Sequence, residues 1–79
     1  MQKIRPDLDI GVNIRNLRLS RKLKQDDVVA QLQLMGLSTS RSSYAKFESN
    51  LMNIKVSELL ALKIIFDCSF EDFFANIQS

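Results

Sequence analysis

The stretch QDDVVAQLQLMGLSTSRSSYAKFES, residues 25–49, decides the fold because it predicts a helix, a turn and a second, short helix. The first of these helices extends from Gln25 or Asp26 through Met35 and has two aspartates in its first turn, where the helix dipole favours negative charge. Gly36 follows at the position where a left-handed C-terminal cap is needed. We expect Val28, Leu32 and Met35 to form its apolar stripe.

The second helix of this stretch is predicted over about 41–49, and Ser40 is a good N-cap for it. Its inner side carries Tyr44 and Phe47, with Leu51 just beyond its end. Its opposite side is cationic and polar, and consists of Arg41, Ser42, Ser43 and Lys46. Asn50 can adopt the positive φ that ends such a helix without a glycine.

Three more helices are predicted, one before this stretch and two after it. One begins at about Asp9, with an apolar stripe at spacings of four and three residues formed by Ile10, Ile14 and Leu17. Another spans about 56–66 and is apolar nearly all round, which is typical of a central helix or a subunit contact. Ser69 caps the last helix. Its predicted stripe is Phe70, Phe73, Phe74 and Ile77. We expect residues 1–8 to form a flexible arm and residues 9–79 a single domain.

Composition supports an all-α class and excludes several kinds of site. With 79 residues, of which only two are Gly and one is Pro, the chain has too few turn residues for a many-stranded β fold. There is no histidine and one cysteine, which excludes His-based acid–base catalysis, a Ser/His/Asp triad, a Cys/His zinc site and an internal disulfide. We therefore expect no enzyme activity, no metal and no cofactor.

The cysteine content and the length of the apolar runs indicate where in the cell the protein is expected to be. The single thiol, Cys68, is typical of a reducing cytoplasm and is interpreted as a small apolar filler. The longest uninterrupted apolar run is 59–62, so we expect neither a membrane span nor a secretory signal.

Charge is distributed unevenly along the chain. Residues 1–25 hold seven Lys/Arg and two Asp, residues 26–55 hold three of each sign, and residues 56–79 hold one Lys and four Asp/Glu. The sums are +5, 0 and −3. One basic end would favour a polyanion, although ordinary solvated charge explains the same numbers.

A short helix with a cationic outer side and an aromatic inner side suits the major groove of DNA. The groove admits one helix, the phosphates on its rims accept bonds from Lys, Arg, Gln and backbone N–H groups, and short polar side chains reach base edges. Spacing alone leaves the question open, because two helices joined by a turn are common in proteins that bind no nucleic acid.

The order and spacing of many residues resemble one known family. They are Ile10-Gly11, Ile14, Leu17-Arg18, Leu23, Gln25, Val28, Leu32, Ser40-Arg41-Ser42-Ser43, Phe47-Glu48, Leu59, Leu62, Phe66, Ser69 and Phe73-Phe74. Together they resemble the lambda repressor/Cro-like, XRE-type helix-turn-helix family, in a variant with a long turn, over about residues 10–74. This resemblance implies a compact five-helix DNA-binding domain.

The resemblance also implies residue roles. Gln25 would bond a backbone phosphate and brace the recognition helix. Arg41, Ser42 and Lys46 would line the groove or read bases, with Ser43 near a phosphate. The DNA-binding set that it implies is Gln25, Ser40, Arg41, Ser42, Ser43 and Lys46. Arg18 and Glu48 would form an internal ion pair with a structural role. Candidates for contacts at the groove rim, with solvent exposure as the alternative, are Asn13, Arg15, Lys24 and Asn50.

Five features depart from the family pattern. The segment 32–48 is longer than in the family's tightest form, so the turn is enlarged. Lys24 stands where an N-cap Ser or Thr is usual, and Val29 replaces a small residue. Lys22 and Asn50 replace helix-ending glycines.

The function that we predict is a sequence-specific regulator of transcription that binds double-stranded DNA, with repression as the predicted mode. It would act as a homodimer, because one module has a small footprint on DNA. Candidates for the two-fold contact are Leu60, Ile64, Phe74 and Ile77, with completion of the core as the alternative. The competing hypothesis is a protein-interaction module on the same scaffold, docking through its aromatic C-terminal helix. No small-molecule effector is evident.

Overall fold

The computed structural model describes residues 10–75. Within this range the chain forms five α-helices and no strand: α1 (Ile10–Ser20), α2 (Gln25–Leu34), α3 (Arg41–Glu48), α4 (Val56–Phe66) and α5 (Phe70–Phe73). The all-α class and the five predicted helices are confirmed. The arm predicted over 1–8 and the contact residue Ile77 lie outside the described residues, so both stay predictions.

The core lies where α1 packs on α3 and α5, and where α2 packs on α3 and α4. The side chains with the least exposure are Tyr44, Phe66, Phe73, Ile14, Leu32, Leu62 and Val28. The stripe predicted for the first helix is confirmed, since Ile10 and Ile14 are buried and Leu17 packs partly against the core. No helix in residues 10–75 has both the length and the apolar character needed to cross a membrane.

Two predicted apolar positions are exposed to solvent instead. Met35 is 42% exposed and Leu51 is 74% exposed. Met35 comes directly after α2 and Leu51 three residues after α3, so neither lies on a helix face. In α2 the third core position belongs to Val29, which is buried beside Val28 and Leu32. The branched side chain that departs from the family pattern is therefore a core residue.

The stripe predicted for the last helix is also wrong for two of its four members, and a third, Ile77, lies outside the described residues. Phe73 is fully buried, but Phe70 and Phe74 are 41% and 38% exposed. The helix has only four residues in the described chain, so a stripe of i, i+3, i+4 and i+7 positions is not formed there. The ring of Phe70 instead lies under the Lys63 ammonium, with 5.6 Å from Nζ to the ring centroid.

Each of the first four helices is followed by a residue in the left-handed conformation. These residues are Lys22 (φ 58°), Gly36 (φ 88°), Asn50 (φ 58°) and Asp67 (φ 51°). Three of the four are not glycine, so the chain tolerates a conformation that costs most L-residues about 1–2 kcal/mol. This explains how Lys22 and Asn50 end their helices where the family pattern has glycine.

A close approach between α1 and the end of α3 involves Gly11. A Cβ atom at this position would lie 2.4 Å from the Phe47 carbonyl oxygen and 2.6 Å from that of Glu48. The Gly11 N–H also donates a hydrogen bond of 2.9 Å to Oδ1 of Asn50. The start of α1 thus rests directly on the backbone that ends α3, and only a residue without a side chain fits.

We expect Gly11→Ala to lower the free energy of unfolding by about 1–3 kcal/mol, because the added methyl group must push the end of α3 away. Chemical denaturation followed by circular dichroism measures this. Gly36→Asn is the control for a glycine replaced without a clash: a Cβ at that position meets no atom within 4 Å, so this variant loses only the smaller backbone strain of asparagine at φ 88°. Equal losses for both variants would contradict the close approach.

Candidate nucleic-acid interface

The base of the site is a buried ion pair between α1 and the end of α3. Arg18 Nε donates to Glu48 Oε2 at 2.7 Å, and Arg18 Nη2 donates to Oε1 at 3.2 Å. The two side chains are only 10% and 4% exposed. Arg18 Nη1 also donates to the Leu23 carbonyl at 2.9 Å, which ties in the segment that leads to α2. One guanidinium therefore holds three parts of the chain together.

Gln25, the first residue of α2, extends this network outward. Its amide nitrogen donates to Glu48 Oε1 at 2.9 Å, and its amide oxygen accepts a bond of 2.9 Å from Arg41 Nε. Gln25 thus links the buried ion pair to the first residue of α3. The geometry fixes the start of α2 against both ends of α3.

Arg41 also pairs with an aspartate that sequence reasoning had assigned only to the helix dipole. Its Nη1 donates to Oδ1 of Asp26, and the two side chains are 54% and 74% exposed. Sequence reasoning missed this pair because the two residues lie on different helices, 15 positions apart. The spacing of residues within a helix does not predict a contact between two helices.

The outer flank of α3, defined here as Arg41, Ser42 and Lys46, faces solvent. Behind it, Tyr44 and Phe47 are buried with their rings edge to face, 6.2 Å between centroids and 81° between planes. The helix is therefore anchored on its aromatic side and presents its polar side.

Ser40 and Ser43 are engaged with each other at the start of α3. The Ser40 hydroxyl oxygen accepts from the Ser43 backbone N–H at 3.1 Å, and the two hydroxyl oxygens are also 3.1 Å apart. Ser40 is thus the N-cap that the sequence predicts, and Ser43 is half-buried. Of these two residues Ser40 is the more exposed.

The long turn between α2 and α3 is fastened to α4. The buried hydroxyl of Thr39 donates to Glu58 Oε2 at 2.7 Å, and the other carboxylate oxygen accepts from the Lys55 backbone N–H at 2.9 Å. Glu58 thereby caps α4 and holds the turn at the same time. The sequence contains no signal for this bond, because Thr39 and Glu58 are joined only by the tertiary fold.

Two of the four predicted rim candidates are bound within the domain. Asn13 Nδ2 donates to the carbonyls of Phe73 at 2.8 Å and Ala75 at 2.9 Å, and Asn50 accepts from Gly11. These asparagines brace helix ends. The other two candidates, Arg15 and Lys24, are exposed.

Lys24 and Arg21 show how helix ends are satisfied without the usual residues. The Lys24 backbone N–H donates to Oδ2 of Asp27 at 2.8 Å, which is the half of a capping box that needs no Ser or Thr at position 24. Arg21 donates to the carbonyls of Phe66 at 2.6 Å and Asp67 at 3.1 Å, at the end of α4. Part of the basic N-terminal charge is therefore used to stabilise a helix C-terminus.

The network sets the ionisation of its members. Burial alone would raise the pKa of Glu48, but the donors around it, first among them Arg18, outweigh burial and hold that pKa below its usual value. The hydrogen bond to Glu48 raises the pKa of Arg18. Burial, and then the neighbouring Glu48, raises the pKa of Tyr44. The Tyr44 hydroxyl has no hydrogen-bond partner of regular geometry among residues 10–75.

A second surface lies between α2 and α4. Leu60 and Ile64 are 46% and 62% exposed and line an open groove of about 300 Å³ together with Met35 and Leu37. Phe74 is exposed but does not line this groove. The alternative that these residues complete the core is therefore wrong for Leu60, Ile64 and Phe74. In residues 10–75 no three acidic or cysteine side chains cluster to hold a metal.

We expect Glu48→Gln to be less stable than the wild type at pH 7 by about 3–5 kcal/mol, because it leaves the buried Arg18 charge unpaired. The pKa of Glu48 is lower in the folded chain than its ordinary value of 4.5, so the stability that its charge provides is present above that value and is lost as the pH falls through the folded pKa. The stability gap between the two proteins should narrow on acidification. Urea unfolding between pH 7 and pH 3 measures it.

The control for this experiment is Glu71→Gln, which neutralises an exposed carboxylate of α5 outside the network. We expect this variant to lose less than 1 kcal/mol at pH 7. A gap between wild type and Glu48→Gln that stays constant down to pH 3 would contradict the assigned role of Glu48.

Comparison with known proteins gives one informative likeness, and it concerns the fold. The structure matches the crystal structure of the restriction-modification controller protein C.AhdI from Aeromonas hydrophila, with a TM-score of 0.71 and 24% sequence identity. The match covers 85% of this chain and 94% of that one. No family model matches the sequence, and no curated protein matches it either. The likeness confirms the predicted all-α helix-turn-helix fold.

Proposed function

We propose that this protein regulates transcription by binding double-stranded DNA in a sequence-specific manner, with α3 in the major groove. The observation that carries the proposal is the outer flank of α3. Arg41, Ser42 and Lys46 face solvent while Tyr44 and Phe47 hold the helix from behind. A helix presented in this way fits a groove about 12 Å wide and offers donors and acceptors to base edges.

The surroundings of α3 supply groups for the phosphates. Lys24 lies exposed just before α2, and among residues 10–75 the amide nitrogen of Gln25 donates one bond, to Glu48. An amide nitrogen carries two hydrogens, so the second one of Gln25 remains for a phosphate oxygen. Ser40 and Ser43, at the start of α3, complete the proposed DNA-binding set.

The likeness to a restriction-modification controller protein supports a regulatory role for the same fold. Repression is the simplest mode, since a protein that occupies a promoter excludes polymerase without any further contact. We place the protein in the cytoplasm, where the single thiol of Cys68 stays reduced. Neither an effector nor a cofactor is needed for this mode.

We further propose that two copies act together. A single module buries only about 600–1,000 Å² of protein surface on DNA, and specific sites are commonly read by dimers on inverted repeats. The apolar groove with Leu60 and Ile64 is the surface that we assign to the second copy, because it is exposed and apolar. Phe74, which is exposed but outside this groove, and Ile77, which lies outside the described residues, stay predicted contacts of the second copy.

The test of the proposed function is selection of bound duplexes from a random pool at about 150 mM salt, a concentration that suppresses non-specific electrostatic binding. We expect a recovered inverted repeat with half-sites about one helical turn apart. Recovery of a single half-site would contradict the dimer. Recovery of no consensus would contradict sequence-specific binding altogether.

We expect Arg41→Ala to weaken binding to the selected duplex by about 1–3 kcal/mol and to relax preference at one base pair, because a bidentate contact with guanine is lost. Fluorescence anisotropy with single-base variants of the duplex measures both effects. Arg41→Lys is the matched control: it keeps the charge but not the planar fork, so it should retain binding to random duplex while losing the base preference. A lysine variant with unchanged base preference would show that Arg41 contributes charge alone.

A further inference from the structure

The contacts of Arg41 raise the question of what its guanidinium does before it meets DNA. Two of its three nitrogens already donate to the protein, Nε to Gln25 and Nη1 to Asp26. A bidentate contact with guanine uses one edge of the guanidinium, either Nε with Nη2 or Nη1 with Nη2. On the first edge Nε already donates to Gln25, and on the second edge Nη1 already donates to Asp26. The residue proposed to read bases is thus engaged with α2.

The two acceptors differ in character. The Gln25 amide is neutral and is itself held by Glu48, so it positions Arg41 Nε at a fixed place on α2. Asp26 is charged and 74% exposed in its side chain, and its carboxylate takes the same kind of bond that a phosphate or a guanine edge would take. Asp26 therefore accepts from a nitrogen of Arg41 that would otherwise be free to donate to DNA.

We propose that Asp26 is an affinity-determining residue that competes, within the chain, with DNA for the guanidinium of Arg41. The proposal rests on the proposed function. When the duplex enters, Arg41 exchanges the carboxylate of Asp26 for an acceptor on the DNA, and the lost ion pair subtracts from the affinity. A random duplex offers Arg41 no guanine edge in the right place, so no new bidentate contact compensates for the lost ion pair, and its affinity falls further.

The size of the effect follows from exposure. Ion pairs between exposed side chains are worth little in water, and Arg41 and Asp26 are both more than half exposed. We therefore expect Asp26→Asn to tighten binding to the selected duplex by about two- to fivefold. Because the effect is small, a charge-matched control is needed to separate the release of Arg41 from the general effect of removing a negative charge.

The control is Asp27→Asn, which removes the same charge from the next residue of α2. Asp27 accepts from the Lys24 backbone N–H rather than from Arg41, and asparagine keeps that capping bond. Both variants lose one negative charge near the DNA, so any general electrostatic gain is common to them. The tightening that Asp26→Asn shows beyond Asp27→Asn measures the release of Arg41.

The deciding measurement repeats Asp26→Asn and Asp27→Asn in an Arg41→Ala background, by anisotropy with the selected duplex at one salt concentration. We expect the two substitutions to have equal effects there, because Asp26 has lost the group through which it acts. An excess that persists without Arg41 would overturn the proposal, as would equal effects in the wild-type background. If the wild type binds no duplex, the proposed function fails and this inference fails with it; if the wild type binds and only the excess is missing, the inference alone fails.

Discussion

The structure depends on the ion pair between Arg18 and Glu48. Both charges are buried, and a buried charge is tolerated only when its partner and its hydrogen bonds are in place. Because Arg18 lies on α1 and Glu48 ends α3, the pair is satisfied only when these helices stand at one distance and one angle. Gly11 makes that distance accessible by removing the side chain that would keep the helices apart. A structural requirement of the core thus determines how α3 is presented at the surface.

Gln25 connects the buried Arg18–Glu48 pair to the surface of α3. It accepts from Arg41 at the start of α3 and donates to Glu48 at the end, so one side chain of α2 spans α3. The turn that separates α2 from α3 is long, yet its last buried residue, Thr39, is fastened to Glu58 of α4. The angle of α3 is therefore held from two sides, and the length of the turn does not leave the helix loose. This arrangement supports the proposed use of α3 as a recognition element.

Local patterns predicted the fold well because helices are specified locally. The caps at Ser40 and Ser69, the apolar spacing of α1 and the apolar run of α4 placed the starts of all five helices within a residue of where they lie, and the ends of α2, α3 and α4 within one residue. The errors occurred where tertiary packing chooses among apolar residues: Met35 and Leu51 face outward, and Val29 takes a core position. The predicted flank of α3 is exposed, but the pairing of Arg41 with Asp26 and the bracing by Asn13 join residues distant in sequence. The periodicity of a sequence shows which residues share a helix face, so it cannot predict contacts between different helices.

Tyr44 gives the domain an internal optical probe. It is the only tyrosine, the chain has no tryptophan, and its ring is fully buried against the carboxylate of Glu48. Because burial raises the pKa of this phenol, the folded domain resists its ionisation in alkaline solution, and the resistance disappears when the chain opens. The near-ultraviolet absorbance of phenolate would therefore appear together with loss of the packed state, so a simple alkaline titration of the unlabelled protein monitors the joint between α1 and α3.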